Sequence, residues 1–413
     1  MQLPLLEDNA RFSCGSCTAC CNQPWRTMIE ADRAAALDRH DWSRHPALMG
    51  RRFYQPAADG REGYFDLAKG EGTKCLFLDT DGLCIIHKEL GPDAKPKMCR
   101  QFPYLPSRTW TDDRISLNFG CPSVQKAKGD ILAAQREDIL AVTPLSTRPH
   151  KGIGVRVPLT GTSTISHEQY ESALNEVLRI FGDDRPGDVW SRFETLLCRI
   201  LELFPAIAGQ AAPDIPSVTG QPPQKSPMPA RLLFAATLYP DTISADKTGR
   251  VGFFKRFTLL PRLMSLAQLR GVYASRLLAR NIAIDRVVAH PVAGELEPAA
   301  TRLLLRYFRS RFWLRNLVGT RLPVIAGIHQ HIHDFNAILF LARAEAEHQG
   351  ADVLSEGIVR KALTCVEFHL ANQSRLYEQT LKGYLRGHLC DARLAFQSLR
   401  LMAPQPAEAN LSA

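Results

Sequence analysis

Four thiols fall within eight residues near the start of a 413-residue chain: Cys14, Cys17, Cys20 and Cys21, in Phe12-Ser-Cys-Gly-Ser-Cys-Thr-Ala-Cys-Cys. The spacing is C-x2-C-x2-C-C, and two-residue gaps let neighbouring thiolates curl around one metal centre, as in zinc knuckles and iron–sulfur loops. Gly15, Ser16, Thr18 and Ala19 are small, so the backbone can wrap closely. Four more thiols follow. Cys75 and Cys84 flank Leu-Phe-Leu-Asp-Thr-Asp-Gly-Leu, Cys99 lies in Lys-Met-Cys-Arg-Gln-Phe-Pro, and Cys121 in Asn-Phe-Gly-Cys-Pro. The other three of the 11 cysteines, Cys198, Cys365 and Cys390, are scattered through helical text and read as ordinary core or surface thiols. A run of merely buried cysteines is the competing reading, but it leaves the two-residue spacing without a reason.

Eight thiols exceed one tetrahedral site. A [4Fe–4S] or zinc centre with spare thiols, or two centres, would use them. Adjacent Cys20 and Cys21 favour iron, because neighbouring side chains strain to reach one small zinc ion but can serve two irons or two sites. The ligand candidates are therefore Cys14, Cys17, Cys20, Cys21, Cys75, Cys84, Cys99 and Cys121, expected to converge in space. His87, three residues after Cys84, is a further candidate.

These blocks carry a resemblance. The cysteine run, Cys75-Leu-Phe-Leu, Gly82-Leu-Cys-Ile-Ile-His87 and Met98-Cys-Arg-Gln-Phe-Pro103 resemble the CxxCxxCC cysteine-cluster family, also called the YkgJ type, described as chelating zinc or iron. The longer block Asp81-Gly-Leu-Cys-Ile-Ile-His-Lys-Glu-Leu-Gly91 is similar to one branch, the flagellin lysine-N-methylases, whose members have about this length and a helical C-terminal half. The specific motifs cover residues 10 to about 125. The resemblance implies a metal centre and, for that branch, an S-adenosylmethionine-dependent protein lysine N-methyltransferase with flagellin or another protein as substrate. No radical C-x3-C-x2-C motif and no dinucleotide-type fold signature marks a route to S-adenosylmethionine: Gly152-Ile-Gly154 lacks the third glycine and the helix that must follow. The alternative is a non-enzymatic protein in which the centre is structural or redox-sensing.

The elements that must position these thiols read as follows. The start of the chain has neither the basic nor the apolar part of a signal peptide, and no uncharged apolar run reaches the roughly 18 residues of a membrane helix. A cytoplasmic protein is expected, in which thiols stay reduced and a dense cysteine group binds metal rather than forming disulfides. The fold class is mainly α: a loop-rich cysteine-cluster domain with a small β-hairpin over residues 1–125, a helical connecting region over 126–204, a Pro-rich linker or surface loop over 205–229, and a helical bundle with a basic face over 230–413. The metal is expected to do part of the folding of the first of these.

Within the first domain, Thr27-Met-Ile-Glu30 has the pattern of a capping box opening a helix to about His40. Residues 41–74 read as irregular, and Leu76–Ile86 as two short strands joined by Asp79-Thr-Asp-Gly82, placing Cys75 and Cys84 on a hairpin. Prolines at 92, 96, 103, 106 and 122 make the rest loop-like. Val124–Ala141 is a candidate helix and Gly154–Leu159 a strand. Ser166 and Gln169 form a second capping box before a helix to about Phe181, and Asp188–Phe204 is the next helix. Seven prolines between Pro205 and Pro229 mark the best boundary. Beyond it, helical spacing recurs near 229–239, 261–280, 296–318, 323–349, 352–372 and 374–401.

Charge is uneven. Val251–Arg321 holds 13 Lys/Arg against 3 Asp/Glu, although the whole chain is only +9. Arg302, Arg306 and Arg309 form one helical stripe beside Tyr307, Phe308, Phe312 and Trp313. This is either a surface for an acidic protein, a nucleic acid or a cofactor phosphate, or a solvated face whose Arg stems cover apolar surface. No nucleic-acid-reading module accompanies it. If the protein is a methylase, the substrate is expected between the cysteine domain and the basic helices around Arg302–Arg315. His329 and His333 share a helix face and could chelate a second metal, although buried, hydrogen-bonded histidines explain them as well. Cys365 and His369, one turn apart, read as packing.

Overall fold

The computed structural model describes residues 3–23, 25–143, 155–182, 188–204, 226–238, 253–275, 278–289, 296–314, 323–367 and 384–403; for 253–260 and 384–386 only the backbone is described. The Pro-rich stretch 205–225, His369 and Arg315 lie outside these residues. The protein is mainly helical, with small sheets concentrated in the cysteine-rich part, as its text suggests.

That part is built from two interleaved pieces. The first contains β3 (Met28–Glu30), α1 (Ala31–Arg39), β4 (Tyr54–Pro56), β5 (Tyr64–Leu67) and α2 (Ile85–Leu90). Its strands form an antiparallel sheet of order β3-β5-β4. It has its own core of nine buried residues, Ile29, Ala34, Leu37, Trp42, Leu48, Leu67, Phe77, Ile85 and Ile86. The second piece contains β1 (Leu5–Leu6), β2 (Arg11–Phe12), α3 (Lys97–Gln101), β6 (Tyr104–Arg108), β7 (Asp113–Leu117), α4 (Pro122–Gln125), β8 (Asp130–Ile131) and α5 (Arg136–Val142). β1 adds in parallel to the β6–β7 hairpin, and β2 pairs with β8. Leu6, Phe12, Ile115, Leu117, Phe119, Val124 and Leu132 of this piece belong to the core of the helical bundle.

Several local expectations change. Thr27–Glu30 does not cap a helix: Met28–Glu30 is a strand, and α1 begins at Ala31 after Glu30, whose side chain makes no capping bond. β4 and β5 lie in the stretch that reads as irregular. The Cys75–Cys84 segment is a tight turn closed by a single antiparallel bridge between Leu78 and Cys84, and Ile85-Ile86 begin α2 rather than a second strand. An apolar run this short suits either state, and here one face of it fills the small core. The regular hairpin is β6–β7, in text that the prolines make look loop-like. The expected helix over 124–141 is split at Gly129, which has φ +101° and leaves no room for a Cβ against Ser13.

The bundle begins with β9 (Val157–Pro158), β10 (Thr164–Ile165), α6 (His167–Gly182) and α7 (Val189–Leu203). The second capping box forms: Gln169 N–H donates to Ser166 Oγ at 3.2 Å, and Ser166 N–H to Gln169 Oε1 at 2.9 Å. Asp188 caps α7 by accepting from Ser191 N–H. Then come α8 (Met228–Leu238), α9 (Phe253–Gln268), β11 (Val272–Ser275), β12 (Arg280–Ala283), α10 (Ile284–Ala289), α11 (Pro298–Trp313), α12 (Val324–Gln349), α13 (Glu356–Cys365), α14 (Tyr384–Leu389) and α15 (Ala392–Leu399). The β11–β12 hairpin interrupts text that reads as one helix from 261 to 280. α12 is the central rod, buried from Val324 to Ala346 except at half-buried Gln330.

Candidate metal centre

The Cys14–Cys21 loop lies where the two pieces of the cysteine-rich part meet, touching the segments that carry Cys75, Cys84 and Cys121. After β2 the chain turns through Ser16 and Thr18, both with positive φ, into a single turn of tight helix over Ala19–Asn22. Gly15 N–H donates to Ser123 Oγ at 3.2 Å, tying this loop to α4. The Cys20 and Cys21 sulfurs lie 3.9 Å apart. Two thiolates on one tetrahedral ion with bonds of about 2.3 Å are separated by roughly 3.8 Å, so this spacing suits zinc as well as iron.

Cys75 joins this loop through its backbone, donating its N–H to Cys21 O at 2.8 Å. Its thiol and that of Cys84 pack on the small core, whereas Cys121, the residue preceding α4, is buried in the core of the bundle. Cys84 precedes α2, and Cys99 lies on α3. The Thr18 methyl lies beside Gly82, which brings the turn before Cys84 onto the cysteine loop. Several of the thiols also influence one another electrostatically. Burial pushes the Cys99 thiol up to about 12, with further upward pressure from Cys75, Cys84 and Cys20. Burial also raises Cys121 to about 11, with Cys17 and Cys20 adding to it, and raises Cys75, with Cys84 and Cys20 adding to it. Cys20 is raised first by its contact with the Cys21 sulfur and then by burial. The upward shifts at Cys20, Cys75, Cys99 and Cys121 favour the protonated thiol, and a bound cation would replace those protons.

Exposure divides the set. Cys14 and Cys17 are exposed, Cys20, Cys21, Cys75, Cys84 and Cys99 are half-buried, and Cys121 is buried. His87 is exposed on α2. Among the described residues, no three Cys, His, Asp or Glu side chains already enclose one ion position. Soft sulfur ligands suit zinc or iron, and ligation requires their side chains to close in on the ion.

Residues 13–122, about a quarter of the chain, match the model of the CxxCxxCC family, "Putative zinc- or iron-chelating domain". All eight thiols fall within the match, so this part of the chain is similar to a metal-chelating cysteine-cluster domain. No curated protein and no solved structure matches the chain. No described helix is long and apolar enough to cross a membrane.

The other candidates resolve differently. His329 is buried and committed, with Nδ1 at 3.2 Å from Leu389 O and Nε2 at 2.8 Å from Ser398 Oγ. His333 stacks on it with ring centroids 4.9 Å apart. Cys365 is buried in the bundle core. Of the aromatic residues beside the basic stripe, Tyr307, Phe308, Phe312 and Trp313 are core residues. Two of the three stripe arginines reach the cysteine-rich part, while Arg302 stays exposed. Arg306 donates to Gln125 O at 2.7 Å, and Arg309 to Asp8 O at 3.4 Å while lying 3.9 Å from Glu7. Glu7 is buried with Ser116 as a hydrogen-bond donor, and Ser116 Oγ is 2.7 Å from Ser310 Oγ. Arg311 pairs with the fully buried Glu367. These ties are invisible in the text because their partners lie on segments far apart in sequence.

Proposed function

We propose that this protein is a metal-binding cysteine-cluster protein whose eight thiols hold zinc or iron, and that the centre joins two separately packed units. The observation that carries this reading is the division of the thiols between two cores: Cys75 and Cys84 on the small one, Cys121 in the large one, with the Cys14–Cys21 loop between them. Bound metal would neutralise the clustered thiolates and fix the two units against each other. Metal analysis with absorption spectroscopy on protein purified without oxygen tests it. Expected is at least one zinc or iron per chain, lost on changing Cys20 and Cys75 together to Ser. Metal-free protein from iron- and zinc-replete cells would refute it.

A finer, enzymatic form of this reading is methyl transfer from S-adenosylmethionine to lysines of flagellin or another protein. It is supported by the resemblance of the 81–91 block and by one contact: basic α11 reaches the cysteine-rich part through Arg306 and Gln125. A substrate would then lie along that junction, near exposed Cys14 and Cys17. The test compares methyl transfer by wild type, Arg306→Gln/Arg309→Gln and Cys17→Ser. Both variants lose transfer under this reading, and only the second loses metal. Retention of full transfer by the arginine variant removes the junction site.

A further inference from the structure

Outside the thiol centre, one cluster of ligand-type side chains is held on rigid elements and is absorbed by no part of the reading above. His40 follows α1, His45 follows five residues later, and Glu89 lies on α2. His45 Nε2 is 3.0 Å from Glu89 Oε1, and His40 Nε2 is 3.8 Å from Glu89 Oε2. The two rings thus turn the same nitrogen toward opposite oxygens of one carboxylate. Only the first is within hydrogen-bond reach, and His40 Nε2 is buried with no hydrogen-bond partner.

Trp42 backs both rings, with centroids 4.4 Å from His40 and 6.2 Å from His45, and is itself fixed by donating Nε1–H to Leu37 O at 2.7 Å. Trp42, Ile85 and Ile86 belong to the small core, so all three donors stand on one packed support. The side chains remain 22%, 16% and 23% exposed for His40, His45 and Glu89, open to solvent on the outer side.

We infer that His40, His45 and Glu89 form a binding site for a divalent zinc-type cation, separate from the thiols. A nitrogen and an oxygen bound to one tetrahedral zinc at about 2.1 Å are roughly 3.4 Å apart, and the two observed separations, 3.0 and 3.8 Å, bracket that value. As they stand, the three side chains pair directly and enclose no preformed ion position. The three side chains would have to rearrange to admit the ion between them. Both Nε2 atoms would then be bare, with each ring proton on Nδ1; a His45 that now donates Nε2–H to Glu89 would lose that proton to solvent and take one up at Nδ1, a change of tautomer with no net proton released. Two imidazoles and one carboxylate leave a fourth position for water on the exposed side, the ligand arrangement of a zinc site that stays open.

The test uses the full-length protein with its thiol centre as isolated, titrated with zinc and, separately, with cobalt(II). Wild type is expected to bind one zinc more per chain than His40→Gln/His45→Gln and than Glu89→Gln, each checked for its fold by circular dichroism. Cobalt in that additional site should give visible bands without the thiolate charge-transfer absorption of a cysteine site. In wild type, zinc should also slow modification of His40 and His45 by diethyl pyrocarbonate at least tenfold, which requires no variant to fold. Equal zinc binding by wild type and both variants, or equal modification with and without zinc, overturns the site. Because both variants leave the eight thiols unchanged and the modification comparison uses wild type alone, the outcome is independent of whether the thiols carry metal.

Discussion

Stripping the metal from the thiol centre should open the small unit and leave the bundle closed. The perturbation is anaerobic chelation, followed by removal of the chelator. The unit from Thr27 to Leu90 spans 64 residues and rests on nine buried apolar side chains. At roughly 0.05–0.15 kcal/mol per residue, its own stability would be about 3–10 kcal/mol. A structural metal of the zinc-finger kind contributes about 10–16 kcal/mol, so its loss is comparable with or larger than that total. Hydrogen exchange reads the difference directly. Amides of Ile29, Leu37 and Leu67 should lose about two to seven decades of protection, the range set by 3–10 kcal/mol at 1.4 kcal/mol per decade. Those of Ile115 and Leu117 in β7 should change little, because these side chains are buried in the bundle core, as are Phe193 and Phe335. Uniform loss along the chain, or undiminished protection of residues 27–90 after complete metal removal, would refute the two-core reasoning.

Three further outcomes follow from named groups. Burial lowers His329 to about 4, so the stability linked to its neutral ring is present above pH 6.5 and lost as pH falls from 6.5 toward 4, by up to about 3 kcal/mol. Melting curves across that window should show a steeper fall for wild type than for His329→Gln. Arg311→Leu leaves the Glu367 carboxylate buried without its guanidinium partner and should cost about 3–5 kcal/mol, read from the urea midpoint. In reduced, metal-free protein, iodoacetamide should label Cys14 and Cys17 before Cys121, as mapped by mass spectrometry, because the first two are exposed and the last is buried. Simultaneous labelling of all three would show that the buried position of Cys121 is not maintained.

The text was most readable where local chemistry decides the structure. Ser166 with Gln169 and Asp188 with Ser191 close helix ends within three residues, so the pattern and the outcome coincide. The cysteine spacing likewise made its loop legible. Strands β3, β4 and β5 were not legible, because each is three or four residues long and exists through pairing with distant neighbours. Leu83-Cys-Ile-Ile could pack as strand or helix, and the small core decided for the helix. The inward turn of Arg306 and Arg309 depended on partners 181 and 301 residues away. His40, His45 and Glu89 left no signal, since no spacing rule links a carboxylate 44 residues beyond the second histidine.

The contact of Ser116 with Ser310 spans 194 residues and also has a meaning in time. A ribosome adding about 5–20 residues per second would finish the second serine roughly 10–40 s after the first. All eight thiols and every residue of the small core are made before that interval is far advanced. During synthesis the cysteine-rich unit can therefore meet its metal while the bundle that will hold β7 and the Glu7 segment does not yet exist. The order of emergence leaves the cysteine-rich part time to fold before the late-made α11 docks on β7 and the Glu7 segment.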